Sequence, residues 1–515
     1  MRPLLRLLVV ANVVLALAAL PAAPAAAAGS RDCARVVDGI DLQTATIPEM
    51  EAAMAAGTLT SLDLVDAYLH RIAAFDTGGP KLDAIRTLAP TARAQAAALD
   101  AERAAGHVRG PLHGIPVLLK DNVSTFDMPT TAGSIALEGA QPVRDATITR
   151  RLRAAGAIIL GKTNLSEFAN WVSLGAANGW SSLGGQVHNA YTGGDPSGSS
   201  SGSGVAASMA FAAATIGTET SGSILSPTDA NGDAGVKPTM GLASRAGILP
   251  LSPSFDVPGP ITRNVTDAAT VLGVIAGADP EDAATAASQP SNYVRALRTG
   301  ALEGTRLAYS QDARDGLDAQ RQALFDKGLD RLRRLGAVVT PVQALTAQYV
   351  GITELGFIPN EFKASLNQYL ADWEPNARSH NLDEVYAYAQ AHPEKYPYGT
   401  DLLQVSDAMP GQAALYPAAA SVQQAARADI EAALAEGGAE AVITPGPAHA
   451  NIGAAAGYPT VETHLGYLGK QPFDFGFMGR PFSEAKLLAY AYDYEQDTHT
   501  RVLPTALNSS LTPAC

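Results

Sequence analysis

The sequence predicts an α/β fold. Short apolar runs bounded by turn residues read as buried strands, and they alternate with longer segments whose apolar residues recur at three and four spacing. Of the 515 residues, 47% are hydrophobic and only 17% charged, which is ample material for a core and unlike a disordered chain. Length alone suggests two to four domains, but no internal repeat and no long linker divides the chain. A single domain over residues 29–515 is therefore expected.

The first 28 residues stand apart. Arg2 and Arg6 give a positive start, Leu7 to Leu20 is apolar, and an alanine-rich stretch with Ala26 and Ala28 suits cleavage. This reads as a secretory signal peptide, since the apolar run falls short of the ~20 residues a membrane span needs. Export implies a secreted or periplasmic protein with no membrane attachment after cleavage. In that setting the two cysteines, Cys33 and Cys515, are candidates for a disulfide between the chain ends. The formal charge of −14 becomes −16 once Arg2 and Arg6 are lost, a poor match for nucleic acid or an anionic membrane.

Residues 46–105 read as helices, with "TSLD" before "LVDAYL" marking a helix start. "GIPVLLKDN" reads as a buried strand, Ile115 to Leu119, ending at Lys120. "ATITRRLRAAG" is a helix closed by Gly156, and "AIILGKTN" is another apolar strand. From Gly175 to Gly204 the composition shifts to Gly, Ser and Asn. The small-residue stretch "VAASMAFAAATIG" that follows is expected to form a buried helix against which neighbours approach closely. "ITRNVTDAATVLGVIAG" is an amphipathic helix, and residues 350–400 are polar, aromatic and largely helical. "AEAVITPGPA" returns as a strand and "GRPFSEAKLLAYAYDYEQDT" closes with a helix.

Several chemistries can be weighed from residue types. "GAIILGKT", Gly156 to Thr163, matches the letters of a phosphate-binding loop, but that mechanism needs a bare loop between a strand and a helix. Here the middle residues are a strand, so Lys162 is not expected to hold phosphate. Metal ligation is not expected: no H-E-x-x-H or C-x-x-C occurs, the nine histidines are scattered, and His113, close to Lys120 in sequence, reads as structural. Gly198-Ser199-Ser200-Ser201-Gly202 fits the letters of a nucleophile elbow, but no clean strand precedes it. What remains is a lysine at a strand end and two serine-rich loops, "SGSSSGSG" and "GTETSGSI". At its ordinary pKa of ~10.4, roughly one Lys120 in 2,500 is neutral at pH 7. Lowering that pKa to ~7 takes about 4.6 kcal/mol, which burial can supply, and neighbouring hydroxyls can then relay its proton.

The segments "GPLHGIPVLLKDN", "GKTNLSEFANW", "SGSSSGSG", "GTETSGSI", "NGDAGVKPTMGLASRAGILPLSPSFDVPGPITRNVTDAA" and "GRPFSEAKLLAYAYDYEQDT", in that order, resemble the amidase signature family. "GWSSLGGQ", "GSSSGS" and "EFKASLNQYL" are most similar to its bacterial peptide amidase branch. The resemblance implies an amidase signature fold: a central mixed β-sheet covered by helices on both faces, with a catalytic core over about 105–280 and a helical substrate-shaping region over about 345–420. It implies a Ser–Ser–Lys triad without a cofactor. Lys120 is the base, Ser199 the bridging serine on a cis peptide, and Ser223 the nucleophile. The backbone N–H groups of Thr220, Ser221, Gly222 and Ser223 form the oxyanion hole, and Ser200 supports the network.

There are departures from the family pattern. Ser197-Gly198 stands where Gly-Gly is common, Ser201 and Ser221 replace frequent glycines, Gly204 stands where alanine is usual, and Glu219 replaces the usual aspartate. Leu225 stands where many members carry arginine, which argues against a malonamate-like substrate. The implied function is a secreted hydrolase of C-terminal peptide amides or other small carboxamides, as monomer or homodimer, with no nucleic-acid partner. Aryl or aliphatic amides, the glutaminase subunit of a tRNA-dependent amidotransferase, and a non-catalytic binding protein on the same fold are the alternatives. Phe357, Phe362, Tyr369, Trp373, Tyr386 and Tyr388 either line the substrate cleft or pack helices together.

Overall fold

The computed structural model describes residues 35–343, 345, 357–411, 416–511 and 513. The expected leader, residues 1–28, and both members of the Cys33–Cys515 pair lie outside the described residues. Among the described residues one mixed sheet of eleven strands organises the fold. In chain order these are β1 (Ile85–Leu88), β2 (Pro116–Lys120), β3 (Ile158–Thr163), β4 (Ala214–Glu219), β5 (Ala234–Lys237), β6 (Val257–Thr262), β7 (Arg306–Ser310), β8 (Val338–Val342), β9 (Ala441–Pro445), β10 (Thr460–Leu468) and β11 (Gln471–Gly479). Their order across the sheet is β8-β7-β9-β11-β10-β5-β6-β4-β2-β3-β1.

β2, β3, β4, β6 and β9 are buried at every position. Successive strand residues face opposite sides, so both faces of the sheet are covered, as expected for this class. This burial on both sides is why the strands read as continuous apolar runs rather than alternating ones. β2 pairs in parallel with both β3 and β4, Lys120 opposite Thr163 and Leu119 opposite both Lys162 and Ile216. The carboxyl ends of these three strands therefore lie side by side, the usual location of sites in open α/β sheets.

The helices expected within 46–105 form at Ile47–Ala55, Ser61–Ile72 and Ala92–Ala104. Thr60 caps the second, accepting from the Asp63 N–H, and Thr46 and Glu49 close a reciprocal cap on the first. The edge strand β1 interrupts this helical stretch. A second departure is "VAASMAFAAATIG". Its first residues complete the helix Ser201–Ser208, but the chain then turns and Ala214–Glu219 becomes β4. Alanine favours helix, yet pairing on both sides with β2 and β6 overrides that local preference.

One hydrophobic cluster lies along the sheet and the helices Ser61–Ile72, Val265–Ile275 and Glu484–Thr498; a second gathers around the helices Phe357–Trp373, Leu382–Ala391 and Asp401–Asp407. Phe362, Tyr369 and Trp373 are buried in that second cluster, and Phe357 is buried at the start of its helix. Phe362 meets Phe168 edge-on at 5.5 Å between ring centroids. All four are packed inside the protein, and Tyr369 and Trp373 also line a cavity of about 470 Å³ shared with Arg245 and Asp256, so both roles, packing and cleft lining, stay open to those two; Tyr386 and Tyr388 are partly buried against the same cluster. No described helix is long and apolar enough to cross a membrane.

Candidate functional site

Lys120, the last residue of β2, is completely buried. Its Nζ lies 2.8 Å from Ser199 Oγ, 2.9 Å from Ser200 Oγ and 3.2 Å from the Thr218 carbonyl oxygen. The Gly198–Ser199 peptide is cis, as the resemblance implies. Ser197 before it holds φ at 59°, the left-handed region where the family's more common glycine has no steric penalty. Ser200 is locked between strands and loop: its hydroxyl donates to the Thr218 carbonyl at 3.1 Å and accepts from the Thr218 N–H at 3.2 Å. The helix Ser201–Ser208 then leaves the cluster, tied to β3 through Thr163 Oγ1 and Ser203 Oγ at 2.8 Å. No strand immediately precedes this loop, which is the feature a nucleophile elbow would need.

Beyond β4 the chain makes the turn that carries Thr220 to Ser223. Gly222 sits at φ 83°, a conformation an L side chain rarely takes. Ser223 is 8% exposed. The Ser200 N–H donates to the Ser223 carbonyl at 3.2 Å, which joins this turn to the Lys120–Ser199–Ser200 cluster. Thr220, Ser221 and Ser223 offer backbone N–H groups that pair with no backbone acceptor among the described residues.

Three contacts fix the turn; the sequence marked Glu219 and Ser221 only as departures from the family pattern. Glu219 accepts from the N–H groups of Ile224 (2.8 Å) and Leu225 (3.1 Å), and the Gly222 N–H also acts on its carboxylate. The Thr220 hydroxyl donates to Asp256 at 2.6 Å, and Asp256 in turn accepts from the N–H groups of Leu251 and Ser252. On the other side the Ser221 hydroxyl donates to Asn451 at 2.5 Å, a bond the family's glycine could not make. Asp256 was within reach of sequence reasoning as the one acid in "LSPSFDVPGP"; Asn451 carried no local signal. Leu225, in place of arginine, is buried. Gly204 leaves room for the helix Leu225–Asn231: a Cβ there would stand 2.8 Å from the Pro227 carbonyl oxygen.

Burial dominates the electrostatics. It pushes the Lys120 ammonium down to about 7, with the Asp256 and Glu219 carboxylates pulling the other way. Burial likewise raises Asp256 to about 6, against the stabilising bonds from Thr220 and Leu251. The Glu219 carboxyl is raised by burial and held back by Lys237 and the loop amides.

Other sequence candidates lie elsewhere. His113 is a buried structural residue, its Nε2 3.0 Å from the Leu99 carbonyl and its Nδ1 accepting from the Arg109 N–H. Lys162 of the phosphate-loop lookalike sits inside β3, bonded to the Val123 carbonyl and Thr130 Oγ1, with no bare loop around it. Among the described residues no three His, Cys, Asp or Glu side chains converge where a metal ion could sit.

The amidase family model matches residues 63–468. A probable amidase of Arabidopsis thaliana is 38% identical over 496 residues, covering 92% of this chain and 94% of that protein. The crystal structure of native peptide amidase from Stenotrophomonas maltophilia superposes with a TM-score of 0.84 at 40% identity, covering 90% of this chain and 98% of that one. One subunit of the glutamyl-tRNA(Gln) amidotransferase from Salinispora arenicola is 38% identical over 335 residues, 64% of this chain and 67% of that polypeptide. With the family model spanning residues 63–468 and relatives covering nine-tenths of its length, the chain belongs to the amidase family of amide hydrolases.

Proposed function

We propose that the protein is an exported amidase that releases ammonia from C-terminal peptide amides, or from other small carboxamides, through an acyl-enzyme on Ser223. One observation carries the reading: a fully buried Lys120 amine, brought to about 7, lies 2.8 Å from the Ser199 hydroxyl. The hydrogen-bond geometry around Lys120 favours one direction of proton flow. As an ammonium, Lys120 has three protons for its three acceptors. As a neutral amine it has two protons and a lone pair. The Ser200 proton is committed to the Thr218 carbonyl, and that carbonyl can only accept. The lone pair therefore faces Ser199, whose hydroxyl donates to Lys120 and whose oxygen is left to take a proton from Ser223.

In the reaction, the Ser223 oxygen bonds to the amide carbonyl carbon as its proton passes to Ser199 and the Ser199 proton to Lys120. The backbone N–H groups of the Thr220–Ser223 turn receive the developing oxyanion. The proton returns along the same path to the amide nitrogen, the C–N bond breaks and ammonia leaves. Water then attacks the ester by the same relay and frees Ser223.

The peptide-amide substrate is favoured by similarity to the Stenotrophomonas peptide amidase over nearly all of that chain, against two thirds of the amidotransferase polypeptide. The test is ammonia release from a C-terminally amidated dipeptide by the exported protein, its start past residue 28 verified by intact mass. Turnover is expected in the parent and a loss of about a thousandfold or more in Ser223→Ala. A parent that spares amidated dipeptides while cleaving glutamine or aryl amides would move the substrate class. Equal activity in parent and variant would remove Ser223 from the mechanism.

A further inference from the structure

A second buried lysine lies one residue from the strand end opposite Lys120. Lys162 is Cα-paired with Leu119, so the alternation of β2 and β3 puts its side chain on the sheet face opposite Lys120. Its Nζ donates to the Val123 carbonyl at 2.6 Å and to Thr130 Oγ1 at 2.8 Å, and lies 3.6 Å from Asp121 Oδ1. All three partners belong to the segment that continues directly from Lys120. Asp121 closes that segment on itself: its carboxylate accepts from the Thr131 hydroxyl, and its carbonyl accepts from the N–H groups of Thr131 and Ala132.

The same segment reaches the helix Phe357–Trp373. Ser124 Oγ is 2.7 Å from the Tyr369 hydroxyl, which donates to Glu374 Oε1 at 2.9 Å. Glu374 ends that helix, its N–H bonded to the Leu370 carbonyl, and its carboxyl feels both Lys162 and Asp121. Lys162, Asp121, Tyr369 and Glu374 are all buried, where each polar contact is worth more than at the surface and a lost partner is expensive. Hydrogen bonds from Ser124 through Tyr369 to Glu374 tie the end of the helix to the same segment that Lys162 holds through Val123 and Thr130.

We propose that Lys162, Tyr369 and Glu374 are positioning residues that couple the segment after Lys120 to the helix Phe357–Trp373, so that loosening either end weakens substrate binding before it slows chemistry. The binding part rests on the reading of Lys120 as the base and on the cavity that Tyr369 and Trp373 line together with Asp256, which holds the Thr220–Ser223 turn; the coupling itself does not. Tyr369→Phe is the informative variant, because it keeps the ring stacked near Trp373 and removes only the hydroxyl link. Hydrogen exchange is measured on the whole protein for parent, Tyr369→Phe and Lys162→Met, beside kcat and KM for an amidated dipeptide.

Tyr369→Phe is expected to speed exchange in residues 121–132 as well as in its own helix. KM should rise about fivefold with kcat within about twofold, the low end of a measurable coupling. Lys162→Met, where it folds, should speed exchange in 357–373. Faster exchange confined to the element that carries the substitution, or a parental KM in a Tyr369→Phe enzyme, overturns the proposal. A parent with no turnover on any amide would sink the functional reading, and the exchange comparison would still decide the coupling.

Discussion

Lys120 shows how burial prepares a base. Its surroundings supply hydroxyls and a carbonyl but no carboxylate in contact, so dehydration wins over the more distant pull of Asp256 and Glu219. The working form is the neutral amine, so kcat/KM should rise with pH through a midpoint near 7 and level above it. Asp256→Asn removes a carboxylate that favours the ammonium, and the midpoint should move down. Initial-rate profiles of both enzymes between pH 5 and 9 check this; a midpoint that stays put or moves up in the variant would remove Asp256 from the electrostatics of Lys120. Lys120→Met should lower kcat by about 10²–10⁴-fold, the usual worth of a general base. At this scale the sequence was readable because a lysine ending an apolar strand is out of place. Glu219 showed only as a departure from the family pattern and Asp256 only as a lone acid in its segment; Asn451 carried no signal, because these roles depend on a turn whose path is set by contacts distant in the chain.

At the scale of elements, the site depends on how closely two helices approach. The helix Ser201–Ser208 leaves the Ser199 loop and the helix Leu225–Asn231 leaves the Ser223 turn, and Gly204 is where the first meets the second. A Cβ at Gly204 would also stand 2.8 Å from Asn231 Nδ2, whose bonds to the Pro196 and Pro227 carbonyls tie the loops together. Although alanine is usual here in the family, Gly204→Ala should therefore destabilise this chain by about 1–3 kcal/mol, as overpacking does. Urea denaturation is the measurement, and a midpoint equal to the parent's would mean that the helices can part without loss. The close approach itself was legible, because "VAASMAFAAATIG", whose first residues complete this helix, is rich in small residues. The extent of the helix was not: nothing local says that Ala214 begins a strand. Likewise β1 and the β10–β11 hairpin are held by their sheet neighbours rather than by a distinctive pattern of their own.

For the whole molecule, the acidic composition matters less than where the acids sit. Burial raises Asp76, Glu167 and Asp229 to about 7 and Glu374 and Glu495 to about 8, and it lifts Asp233, Glu462 and Asp474 well above the carboxylate range. Each of these groups holds a proton in the folded state that it gives up on unfolding at neutral pH. Where the folded state binds more protons, stability falls as pH rises. These carboxyls therefore support the fold fully below about pH 4, their unfolded range, and lose that contribution as pH climbs through 7 and 8. His449 and His464, pushed down to about 4 and about 3 by burial, act in the opposite sense below pH 6.5 but are only two groups. Lys120 and Lys237, at about 7 and about 8, favour the folded state more as pH rises, chiefly above 8. Between pH 5.5 and 8 the carboxyls prevail, so the denaturation midpoint should be higher at pH 5.5 than at pH 8. A midpoint that rises from pH 5.5 to 8 would mean that the buried carboxyls are ionised and paired in the native protein, and the acidic balance would then have to be read as a network of charges rather than a store of protons.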